Sequence, residues 1–130
     1  MTSVYSDVLQ AVVQLLADVG VTAVIGALPP NNGFSVAYAS GGTDETYLNK
    51  NTSVSMTLVF NGKNKNQQTV AQTMDAAHGA LTRTKVYPQS TAFQITDIST
   101  VNAPNYIGRE ENNQWLYGSS LRVKFFYRGD

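Results

Sequence analysis

Few residues of this chain have the means to do chemistry. Glu110 and Glu111 stand side by side after Arg109, in the stretch NYIGREENNQWLYGS over 105–119. Two carboxylates that face a common bond could act as acid and as base or nucleophile on a glycoside. In an extended segment, adjacent side chains point to opposite sides, so this pair does not converge. Pro104, Gly108 and the run EENN at 110–113 supply turn chemistry. The pair is therefore read as the tip of a hairpin that joins two antiparallel strands across 102–114.

His78 is the only histidine, and Asp75 precedes it by about one helical turn. A hydrolytic triad also needs a nucleophile beyond the ring, and no G-x-S-x-G elbow is present. A small enzyme or ligand-binding domain with a pocket between helix and sheet near His78 is one reading. A packed or surface histidine is the plainer one. With a single histidine and no cysteine, thiolate and histidine-rich metal sites are excluded. The Gly-Lys of NGKNKN, 61–66, lacks the rest of a phosphate loop. SGGT, 40–43, leads into a polar connection and not into a helix, so it is no dinucleotide fingerprint. No metal or cofactor is expected.

Arg122, Lys124 and Arg128 alternate along the last strand and make a basic stripe with Phe126 between them. Such a stripe can track a nucleic-acid backbone, or it can simply be the solvated face of a sheet. Nine basic residues balance nine acidic ones, which points away from a polyanion or a membrane as main partner. Charged residues make up 14% of the chain, against roughly 25% in an average globular protein. Asn, Thr, Ser and Gln replace them. A neutral, hydrogen-bonding surface suits a subunit that packs against copies of itself. The absence of cysteine suits a reducing cytoplasm.

The elements that must position these residues follow from periodicity. With 130 residues the chain is read as one domain, long enough to bury a core. Tyr5, Val8, Leu9, Val12, Leu15, Leu16 and Val19 recur at helical spacing and predict a helix over 4–19. Thr2 or Ser3 can cap it and Gly20 can end it. Gln10, Gln14, Asp18 and Gly20 interrupt the apolar run 8–28, so it is not read as a membrane span. A loop or short strand follows, then the turn PPNNG over 29–33. FSVAYAS, 34–40, reads as a strand broken by Gly41 and Gly42, with 43–51 as a polar connection. Residues 52–60 alternate as a strand, with Val54, Met56, Leu58 and Phe60 on one face. Asn61-Gly62 is expected to turn the chain. Val70, Met74, Ala77 and Leu81 predict a helix over 67–83 with Asn66 as its N-cap. A strand over 91–101 changes phase between Ile95 and Ile98, which predicts a bulge near Asp97. The last strand sets Trp115, Tyr117, Leu121, Val123, Phe125 and Tyr127 on one face.

YPQS, 87–90, with FQITDISTVNAPNYIGREENNQWLYGSSLRVKFFYR, 93–128, resembles the end of the tail-terminator and minor capsid proteins of long-tailed bacteriophages. The shared features are a strand, an I-G-R turn, a polar tip and a W-x-Y strand ending in alternating aromatics. The upstream order of helix, strands and helix is similar too. The resemblance implies an α+β fold, a mostly antiparallel sheet packed against two helices, without catalysis. It implies a ring, commonly a hexamer, at the head-proximal end of the tail in the virion neck. The ring stops growth of the tail tube and meets the head connector, and genomic DNA passes through its lumen. A minor capsid or head-closure subunit is the neighbouring reading. On this basis Tyr106, Arg109 and Trp115 are candidate interface residues, of types enriched at interfaces, although Trp115 also suits the core. Arg122, Lys124 and Arg128 are candidate lumen residues.

Overall fold

The fold is that of a computed structural model, which describes residues 4–26, 32–46, 52–84 and 93–127. Helix α1 spans Val4–Asp18 and helix α2 Gln67–Arg83. Strands β1 (Val24–Ile25), β2 (Gly33–Thr46), β3 (Thr52–Asn64), β4 (Phe93–Arg109) and β5 (Trp115–Tyr127) form one sheet in the order β1-β2-β3-β5-β4. Only the β1–β2 pair is parallel. The fold is α+β, as expected.

Both helices form for local reasons. Gly20 adopts φ +87° and closes α1: its N–H donates to Ala17 O at 3.0 Å, and Val21 N–H reaches Leu16 O at 2.9 Å. This left-handed ending is the one glycine serves best. The predicted caps Thr2 and Ser3 lie outside the described residues. Asn66 caps α2 as predicted, its side chain accepting from Thr69 N–H at 3.1 Å. No helix is long and apolar enough to cross a membrane among the described residues.

The helices lie on one face of the sheet, where each element contributes one stripe. Val8, Leu9, Val12 and Leu16 come from α1; Val70, Met74, Ala77 and Leu81 come from α2. Val54, Met56, Leu58 and Phe60 face them from β3, and Leu121, Val123 and Phe125 from β5. The predicted alternation on β3 and β5 is present, because a period of two lets one face bury while the other stays polar. The Tyr5 ring meets Phe125 edge-on at 5.8 Å. Val19, expected on the α1 stripe, is exposed, because the helix has already ended.

Three expected breaks are not breaks. The backbone of β2 runs on through Gly41 and Gly42 to Thr46, with register shifts at Tyr38/Ser40 and Thr43/Glu45. Strand β3 continues through Asn61-Gly62 to Asn64, paired on both sides. A Cβ at Gly62 would lie 3.0 Å from Met74 Sδ and 3.2 Å from Val70 Cγ2. Glycine serves there to let α2 approach the sheet, not to turn the chain. Strand β4 extends to Arg109, so the turn is far shorter than 102–114. The bulge near Asp97 is present as a register shift between Ile95 and Asp97. Three more shifts follow along β4, which is how an edge strand absorbs Pro104.

Candidate functional site

The end of the β4–β5 hairpin gathers three of the sequence candidates. Glu110 to Gln114 make the turn: Glu110 N–H donates to Gln114 O at 2.8 Å and Asn113 N–H to Glu110 O at 3.0 Å. Asn113 takes φ +65°, a conformation asparagine tolerates well. From the strand end, Arg109 donates to Asn113 Oδ1 at 2.6 Å and holds its guanidinium carbon 5.1 Å from the centre of the Trp115 ring. A cation over an indole face is attracted by the ring quadrupole. The Tyr106 ring lies 6.0 Å from Trp115 and 5.7 Å from Tyr117. Tyr117 OH in turn accepts from Gln67 Nε2 at 3.0 Å, tying the cluster to the start of α2.

Tyr106, Arg109 and Trp115 are thus one contiguous surface. Trp115 is half-buried and packs against the core with one part of its ring while facing Arg109 with another. Tyr106 and Ile107 are exposed. Ile107 reaches over Gly118, where an added Cβ would come 2.5 Å from its Cδ1.

The acidic pair separates, but it does so in a turn and not in the extended segment expected from alternation. Glu110 Oε1 pairs with Lys63 Nζ at 2.8 Å, while Glu111 sits exposed in the turn. The Lys63 side chain is 7% exposed and that of Glu110 40%. This bond anchors the hairpin tip to the end of β3. Gln114 is fully buried; its Oε1 accepts from Asn32 N–H at 2.8 Å, and its Nε2 has no partner among the described residues. Asn32 Oδ1 accepts from Lys65 N–H at 3.1 Å. Lys63, Asn32 and Gln114 carry no local sign of their partners, because each acts across the fold.

Arg122 and Lys124 are exposed on the sheet face away from the helices. Their neighbours in register are Thr57 and Ser55 on β3, and Ser99 and Asp97 on β4. Arg128 lies outside the described residues, as do the motif YPQS and residues 29–31 and 47–51, whereas 33–46 between them are strand β2.

His78 is not set up for catalysis. Its Nε2 is 2.8 Å from Thr100 Oγ1, and its Nδ1 is buried without a partner among the described residues. Burial lowers its pKa below the usual 6.5, against the charge of Asp75, which raises it. A cavity of about 200 Å³ opens near the first turns of α2, between Thr22, Asn32, Phe34, Lys63, Val70 and Thr73. His78 does not line it.

A family model described as bacteriophage tail terminator protein matches residues 13–126. The chain belongs to the bacteriophage tail terminator family. That match spans from the middle of α1 to the end of β5. A tail terminator is a structural virion protein and not an enzyme. The fold is similar to a chain in the virion of a native gene transfer agent particle, with a TM-score of 0.57 and 15% identity. That likeness covers 93% of this chain and 90% of the other. At such identity it establishes the fold. No curated protein sequence matches the chain.

Proposed function

We propose that the chain acts as a single domain over 1–130 and assembles into a closed ring, a hexamer, at the head-proximal end of the tail. The ring stops growth of the tail tube and joins the tail to the head connector. It is built in the host cytoplasm and resides in the virion neck. The observation that carries this reading is the tail terminator match over 13–126. The geometry is suited to it. A ring needs two different patches that meet and close on rotation, and the sheet has a different strand at each edge. Tyr106, Arg109 and Trp115 serve as contact residues at one of them.

In this arrangement the polar sheet face lines the lumen. Arg122 and Lys124, with Arg128, meet passing DNA there as a weak sliding surface. Zero net charge keeps that contact from becoming tight.

The test is negative-stain electron microscopy of the purified protein, with its solution mass taken on the same sample. Closed rings, alone or capping the ends of added tail tubes, are the expected result. Tubes that keep growing uncapped in its presence would overturn the terminator role. Rings that bind the head connector but ignore tubes would move the protein to a head-closure station.

A further inference from the structure

Among the described residues, six large hydrophobics are exposed, each between 42% and 53%. They are not scattered. Val24 and Ile25 make up β1, at one edge of the sheet, and Val19 stands in the turn that ends α1, before them in the chain. Val101, Tyr106 and Ile107 lie on β4, at the opposite edge. The two groups also stand at the same height. Val24 is in register with Ser35, Ser35 with Asn61, Asn61 with Gly118, and Gly118 with Asn105. One row of the sheet therefore begins in the first apolar group and ends inside the second.

The strand directions match as well. From the pairings, β1 runs opposite to β4. A second copy set beside the first in the same orientation brings its β1 antiparallel to the neighbour's β4. From these observations we infer that the β1 edge, with Val24 and Ile25, docks on the 101–107 segment of β4 of a second copy of this chain. The inference rests on the ring reading and names the two halves of its interface.

A second copy is the occupant that both edges call for together. A different protein would need one apolar edge; two of them, level and opposite in direction, form a complementary pair. Every subunit then uses one of each, which is a heterologous contact. Pro104 has no N–H to give, and β1 is only two residues long. Main-chain pairing is therefore brief, and burial of apolar side chains supplies most of the attraction.

The chain has no cysteine, so cross-linking starts from a clean background. Val24→Cys is combined in turn with cysteine at Val101, Ala103, Asn105 or Ile107, and the protein is oxidised under assembly conditions. At least one combination should give a ladder of covalent multimers. Each single variant, and Val24→Cys with Gln94→Cys at the far end of β4, should stay monomeric on a denaturing gel. Ile107→Ser in the cysteine-free chain should need about tenfold more protein to assemble. Intact rings without any such ladder would overturn this inference and leave the ring standing. Val24→Cys alone forming dimers would also overturn it, since like edges would then be meeting. Failure to form rings at all, with or without tubes, would remove both.

Discussion

At the scale of residues, the contact with the clearest energetic consequence joins Lys63 to Glu110. The ammonium is nearly out of water, whereas the carboxylate keeps partial access to it. Removing the carboxylate takes a charged partner from the mostly buried ammonium, the more costly side of the pair. Glu110→Ala should destabilise the fold by about 1–3 kcal/mol in urea denaturation. Glu111→Ala, one position on and exposed in the turn, should change stability by less than about 0.5 kcal/mol. Equal effects would mean that the ion pair does not anchor the tip. His78 offers a second test. Burial holds its folded pKa below 6.5, so as pH falls the unfolded chain takes up its proton first. The stability tied to this group is full above the unfolded value. It is lost as pH falls from there through the lowered folded value. His78→Gln should flatten the fall of the denaturation midpoint as pH drops below 6.5. It should leave assembly intact, whereas a catalytic histidine would not tolerate the change.

At the scale of elements, two glycines show how packing decides what a residue means. Gly62 was expected in a turn and instead lies where α2 presses on β3. Its neighbours there are Met74 Sδ and Val70 Cγ2, both on a helix held by its own buried stripe. Gly118 faces the tip of the exposed Ile107 side chain, which can swing away into solvent. Gly62→Ala should therefore cost about 1–3 kcal/mol through overpacking. Gly118→Ala should cost clearly less, although its added Cβ starts closer to a neighbour. Thermal denaturation of the two variants side by side checks the order. A larger loss at Gly118 would show that Ile107 is fixed by more than its own strand.

At the scale of the whole molecule, one sheet face carries the helices and the other carries Arg122 and Lys124 among serines and threonines. If that face lines a DNA channel, its charge matters for passage and not for folding. Arg122→Gln with Lys124→Gln should leave the urea midpoint within about 0.5 kcal/mol of the parent. Particles carrying the double variant should eject DNA at an altered rate. Normal ejection would remove these two residues from the lumen.

Much of this was legible in the chain itself. The period of 3.6 in 4–19 and 67–83 and the period of two in 52–60 and 115–127 marked the helices, strands β3 and β5 and most of the core, but not Val21, Phe34, Val36, Phe93, Ile95 or Ile98. That works because burial of one face repeats along an element, and the repeat is written locally. The hairpin nature of 105–119 was legible from its turn residues, Pro104, Gly108 and the run 110–113. What tertiary structure alone decided was every relation across distant segments. Asn-Gly at 61–62 carries a turn signal, yet pairing on both sides and the approach of α2 keep it in a strand. Lys63 has no mark that assigns it to Glu110, and Gln114 none that buries it against Asn32. The alignment of Val24 with Asn105 depends on the register of four successive strand pairs, and no stretch of sequence holds more than one of them.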